Sequence, residues 1–172
     1  QAALELFAHH GYHSTSISQI AKEAKVSKGL VYNYFDSKEE LLRHIVLEAA
    51  AAAEGIMELT YSKEKGPNEK IREMIEGFFS MVQANLHYWK LMTSLAFQTD
   101  ALSSMESTVQ EKAELHLQYM THVFAEKGAA EPRLEAMYFA ASLDGIAIQF
   151  MNFENDYPVD QMKNFLIEKF CS

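Results

Sequence analysis

All three prolines stand where a helix can begin, and none falls inside an apolar-periodic run, so long helical segments lie between them. Pro67 follows Lys65 and Gly66, Pro132 follows Gly128 to Glu131, and Pro158 follows Asn155 to Tyr157. Apolar residues recur at three- and four-residue intervals over roughly 67–85, 87–99, 103–127, 131–153 and 158–170. No alternating strand pattern with hairpin turns competes with them, and the segments are too unlike one another for a helical repeat. Seven glycines leave little room for long loops, and 172 residues with 48% hydrophobic content suffice to bury a core. The expected fold class is all-α.

The amino-terminal quarter reads as three shorter helices before a long fourth. Ala3, Leu4, Phe7 and Ala8 are already at helical spacing from the first residue, which implies a first helix cut short at its start. Gly11 ends it. Ser16, with Gln19 three residues on, predicts a capped second helix that carries Ile17, Ile20, Ala21 and Ala24 on one face. Ser27 is a further N-cap, opening a third helix of about two turns, Lys28 to Phe35, with Val31 and Phe35 inward. Ser37 with Glu40 predicts the start of the fourth, through Leu41, Leu42, Ile45, Val46 and the alanine run 49–53. With five further segments behind it, the chain should hold about nine helices.

Three helices within 45 residues, the second and third joined by a few residues around Val26, match a helix-turn-helix. The third helix leaves Lys28, Leu30, Tyr32, Asn33 and Tyr34 on its outer surface. That face suits a DNA groove: tyrosine hydroxyls reach phosphates, Asn33 can pair with a base edge and Leu30 can touch a thymine methyl. Gly29, lacking a β-carbon, lets backbone approach closely, and the amides of 27–30 and 38–40 are available phosphate donors at helix starts. The competing reading is a plain three-helix packing unit in which Tyr32 and Tyr34 are partly buried core aromatics. Charge does not favour DNA overall, since the net charge is −9. Residues 1–45 balance Lys22, Lys25, Lys28, Lys38 and Arg43 against Glu5, Glu23, Asp36, Glu39 and Glu40, so the whole excess lies in 46–172. Only the amino-terminal quarter tolerates a polyanion, and one copy is expected to bind weakly and salt-sensitively, with useful affinity from a symmetric pair.

The run from Thr15 to Leu42 closely resembles the signature of the tetracycline-repressor (TetR) family of bacterial transcription regulators. It holds the Ile20-Ala21 pair, the Val26-Ser27-Lys28-Gly29 turn, the Tyr32-x-x-Phe35 helix and the Ser37-Lys38-Glu39-x-Leu41 start of the fourth helix, in that order. The resemblance covers residues 2 to about 46. It implies that Ser27, Lys28, Gly29, Leu30, Tyr32, Tyr34 and Lys38 contact operator DNA, with Ser16 touching a phosphate. One departure is Lys25, where many members carry glycine; a non-glycine residue must adopt the turn geometry there.

Residues 46–172 match by layout alone, and the resemblance implies an inducer-binding and dimerisation domain behind a DNA-binding domain of 1–45. Met137 to Phe153 is apolar on nearly every face, interrupted only by Ser142, Asp144, Gln149 and Asn152. Such a helix needs two partners. One is the protein's own core; the other, by resemblance, is a second subunit meeting Ala141, Gly145 and Ile148, with Met162, Phe165 and Leu166 of the last segment. Central burial within a monomer is the alternative. Methionines and aromatics concentrate in this region, and Phe78, Met81, Trp89, Met92, Tyr119, Met120, Tyr138 and Asp144 are candidates for a pocket holding an apolar or aromatic inducer; ordinary core packing competes for each.

Enzymatic readings find no support. There is no His-Glu-x-x-His, Gly-x-Ser-x-Gly, phosphate-binding glycine loop or paired Glu-x-x-His. Gly11 breaks the helix that would align His9, His10 and His13, so no metal or other cofactor is expected. Cys171, as the single cysteine, excludes an intrachain disulfide, and no apolar run of membrane-spanning length or export signal is present. The expectation is a cytoplasmic, nucleoid-associated homodimer that represses transcription from a palindromic double-stranded operator and is released by a small molecule. The alternative is an architectural or interaction module with the same DNA-binding head and no inducer.

Overall fold

The computed structural model describes residues 1–60, 64–95, 106–153 and 156–172, with backbone alone at 49–50, 52–60 and 106. Nine helices occur among the described residues: α1 Ala2–His10, α2 Ile17–Glu23, α3 Lys28–Tyr34, α4 Lys38–Thr60, α5 Pro67–Ala84, α6 Leu86–Leu95, α7 Glu106–Lys127, α8 Pro132–Phe153 and α9 Val159–Cys171. Parts of two expected segments, 96–99 and 103–105, lie outside the described residues. Pro67 and Pro132 occupy the first helical position, while Pro158 is the N-cap of α9.

The local signals act as their chemistry demands. The Ser16 hydroxyl accepts from the Gln19 amide while the Gln19 carboxamide oxygen accepts from the Ser16 amide at 2.8 Å, closing the capping box. Ser27 caps α3 by accepting from the Leu30 amide at 3.1 Å. At α4 the box opens out: Ser37 accepts from the Glu40 amide at 3.0 Å, but the Glu40 carboxylate accepts from Asp36, one residue before the cap, at 2.6 Å. Gly11 ends α1 at φ 82°, ψ 153°, an extended left-handed conformation closed to side chains with a β-carbon.

Lys25 carries φ 57°. The turn between α2 and α3 therefore holds a lysine in the left-handed region, where its β-carbon crowds the following carbonyl. Lys25→Gly should relieve that strain, less what glycine loses in unfolded-chain entropy. The expected net gain is about 0.5–1 kcal/mol, read as a melting-temperature rise of about 1–4 °C. A fall in melting temperature would show that the turn carries no such strain.

The chain divides into two compact units. The first comprises Gln1–Ala53 and Asn85–Met105. Its core joins Phe7, Ile17, Ile20, Ala21, Val31 and Leu42 to Leu91 and Leu95 of α6, so the helix-turn-helix rests on a helix from much later in the chain. Phe35 packs partly buried on this core. The second unit comprises Glu54–Ala84 and Glu106–Ser172. There α5 presents Ile71, Ile75 and Phe79, four apart, to α7, α8 and α9. Phe139 sits edge-on to Phe124 and Phe170 at centroid distances of 5.6 and 5.0 Å. Lys70, buried on α5, reaches the Glu126 carboxylate at 2.7 Å, which pairs its charge.

Candidate nucleic-acid interface

The α2–α3 pair is held from beneath by Ile20, Ala21 and Val31, which fixes the roll of α3 and turns its other residues outward. Ser16, Ser27, Lys28, Gly29, Leu30, Tyr32, Asn33 and Tyr34 are all exposed. Leu30 is 41%, Tyr32 45% and Tyr34 72% exposed, values that decide against Tyr32 and Tyr34 as core aromatics. The Lys28 ammonium lies 5.7 Å from the Tyr32 ring centroid, placing charge and aromatic surface side by side. The face is thus a short helix bearing a lysine, two tyrosines, an asparagine and a leucine, with no buried role for most of them.

Three refinements follow from the hydrogen bonds. The Leu30 amide is committed to Ser27 and the Glu40 amide to Ser37, so neither is a ready phosphate donor. The Ser16 hydroxyl donates to the Gln19 carboxamide oxygen at 2.7 Å, so it must turn from that bond to donate to a phosphate. Lys38 is the largest change. Its ammonium donates to the carbonyls of Tyr12 at 2.9 Å, Thr15 at 3.0 Å and His13 at 3.4 Å, and lies 4.4 Å from the Tyr12 ring centroid. All three protons are spent inside the protein. Lys38 straps the α1–α2 connection to the start of α4, and the buried Thr15 seconds it by donating to the Gly11 carbonyl at 2.9 Å.

Gly29 has ordinary helical geometry, and a β-carbon there would meet only the Ser27 hydroxyl, at 3.9 Å. The folded protein therefore has no need of glycine at this position. Gly29→Ala should stabilise α3 by about 0.5–1 kcal/mol, and if the backbone at this position approaches DNA closely the added methyl should also weaken operator binding. Thermal melting and a binding titration read the two effects separately; unchanged DNA affinity would remove Gly29 from the interface.

A shallow apolar cavity of about 360 Å³ opens in the same unit, between Ala3, Ile20, Val31, Phe35 and Ile45, with Leu30 and Tyr34 on its wall. Part of the exposed surface of those two side chains thus faces this cavity.

The expected pocket residues divide between the two units. Met92 packs against the core of the first unit, and Trp89 lies on the same α6. Tyr119 is buried in the second unit, Phe78 and Met120 pack against its core, and Met81 is half-buried on α5. Tyr138 and Asp144 are exposed on α8. Although Asp144 as a residue is exposed, desolvation by its surroundings pushes its carboxyl above the ordinary carboxylate value.

Helix α8 buries Ala136, Phe139, Leu143, Ile146, Ala147 and Met151 on one side. Its other side leaves Leu134, Met137, Tyr138 and Ile148 exposed, together with Ala141 and Gly145. A β-carbon at Gly145 would meet nothing within 4 Å. From α9, Phe165 is 57% exposed and Met162 half-buried, whereas Leu166 is buried in its own unit and backs the face from below. Among the described residues there is no group of three or more His, Cys, Asp or Glu side chains able to hold a metal ion, and no helix long and apolar enough to cross a membrane.

The comparisons agree with this geometry. Residues 1–45 match the family model for bacterial regulatory proteins of the tetR family. The fatty acid metabolism regulator protein of Bacillus subtilis is 24% identical over 99% of this chain and 91% of its own length. The crystal structure of the Bacillus subtilis regulator FadR in complex with stearoyl-CoA superposes with a TM-score of 0.77 at 23% identity, covering 99% of this chain and 95% of the other. That of AibR with isovaleryl coenzyme A and operator DNA gives 0.78 at 17% identity, covering 99% and 97%. These two structures share the fold.

Proposed function

Because the chain belongs to the TetR family of DNA-binding transcription regulators, we propose that it is a homodimeric repressor of a palindromic operator, released by a fatty acyl-CoA. Residues 1–45 are its DNA-reading domain and 46–172 its effector-binding and dimerisation domain. Two copies of α3 enter successive major grooves, reading half-sites one helical turn, roughly 34–36 Å, or a multiple of it apart. The observation that carries this reading is the outward face of α3, whose Leu30, Tyr32 and Tyr34 are exposed without a partner role in the core. The pairing surface is the exposed side of α8 with Phe165 of α9. The protein acts in the cytoplasm, by binding and not by catalysis.

The choice of effector rests on similarity along the whole chain to a Bacillus subtilis regulator named for fatty acid metabolism and to the crystal structure of the Bacillus subtilis regulator FadR with stearoyl-CoA. A long acyl chain suits the flexible and aromatic side chains of the second unit, among them Phe78, Met81, Tyr119 and Met120. Binding shifts the dimer toward a state with lower operator affinity by a coupling of about 1–3 kcal/mol. Calorimetric titration with stearoyl-CoA, free coenzyme A and stearate tests this. Saturable binding of the thioester that weakens operator affinity about tenfold or more supports it. Operator binding that ignores every acyl chain length would instead favour a DNA-binding module without an inducer.

A further inference from the structure

We propose that His9 and His87 together chelate one divalent transition-metal ion, of the zinc, nickel or copper class, and that this ion clasps α1 to α6. The two side chains are 78 residues apart in sequence, yet their Nε2 atoms lie 3.1 Å from each other. Their rings are 5.0 Å apart between centroids and inclined at 60°.

The separation is that of two ligands on one ion. A metal–imidazole bond of about 2.0–2.1 Å places cis nitrogens roughly 3.0 Å apart in an octahedral shell and roughly 3.3–3.4 Å apart in a tetrahedral one. The observed distance lies between the two, so an ion enters with sub-ångström adjustment. Without metal, one imidazole must donate its Nε2 proton to the other; with metal, both Nε2 atoms turn lone pairs inward and carry their protons on Nδ1.

The approach of the two helices that carry the pair does not depend on that hydrogen bond. Phe7 on α1 and Leu91 on α6 are fully buried in one core, two residues from His9 and four from His87. The helices thus hold the backbones at His9 and His87 close together before an ion arrives, which lowers the ordering cost of binding. His9 is exposed and His87 half-buried, giving an ion a path from solvent. With imidazole nitrogens as its protein ligands and water completing the shell, the site selects borderline ions and rejects magnesium and calcium.

Since α1 is the first helix of the DNA-reading domain and α6 packs beside it, the ion fastens together the segments that bury Phe7 and Leu91. Its presence reads out as stability of that unit, whatever the effector and operator prove to be. Binding to the native state alone raises the melting temperature by about 5 °C or more at an ion concentration one hundred times Kd.

The test uses the whole chain freed of metal with a chelator. Copper(II) titrated into it should show, by electron paramagnetic resonance, one ion per chain with two nitrogen ligands, and zinc should raise the melting temperature. His9→Gln and His87→Gln should each abolish both signals, while His10→Gln and His13→Gln keep them. Melting of every variant in chelator verifies that it folds. No metal-dependent shift in the parent protein, or a two-nitrogen signal that survives His9→Gln or His87→Gln, overturns the proposal.

Discussion

Replacing Ile148 by glutamate is expected to turn a dimer into a monomer at micromolar concentration and to lower operator affinity about one hundredfold or more. Ile148 is 40% exposed on the side of α8 that its own core leaves uncovered. In a two-fold pairing the same patch meets itself, so each substitution places two carboxylates in one apolar contact. Burying them unpaired costs several kcal/mol, enough to dissociate a dimer of moderate strength. The fold of each subunit should survive, because the residues that hold α8 to its unit are Phe139, Leu143, Ile146 and Met151 on the opposite side. Sedimentation equilibrium reads the mass and circular dichroism the helix content. A dimer that persists with unchanged affinity would place the pairing surface elsewhere. Phe165→Glu is the parallel test from α9, whereas Leu166→Glu would unfold the subunit, since Leu166 is only 3% exposed.

The second large effect is expected at α3. Tyr34, 72% exposed, contributes almost nothing to the core, so Tyr34→Ala should leave the melting temperature within about 2 °C. A lost side-chain contact at a DNA interface costs about 1–3 kcal/mol, and a dimer loses it twice, so operator affinity should fall roughly thirtyfold or more. Lys28→Ala separates charge from shape. If its ammonium neutralises a phosphate in each half-site, the slope of log affinity against log salt should flatten by about 2 for the dimer. An unchanged slope would confine Lys28 to its stacking on Tyr32.

What the sequence made legible was whatever is written in local spacing. Ser16 with Gln19, Ser27 before Leu30 and the apolar interval from Ile71 to Phe79 act over one or two helical turns, and each does in the structure what its spacing implies. Lys25 was legible as a departure, and its φ of 57° gives that departure a physical cost. The residues whose role changed are those with partners far away. Nothing near Lys38 in sequence announces that three carbonyls of the α1–α2 connection await its ammonium. Leu91 and Leu95 are apolar at helical spacing, but only the folded chain assigns them to the core of the amino-terminal unit. His9 could be weighed against His10 and His13, which share its neighbourhood, but not against His87. The exposed side of α8 was half-legible: a helix apolar all round implies a second partner, while which side faces it follows from where Phe139 and Leu143 are buried.

Selection of DNA sites from a random pool by the whole protein tests the central claim most directly. The winning sequence should be a palindrome bound by two chains, with half-site centres about one helical turn or a multiple of it apart, and its binding should weaken steeply as salt rises. Failure to enrich any sequence while the protein remains folded and dimeric, or enrichment of an asymmetric site bound by a single chain, would contradict it.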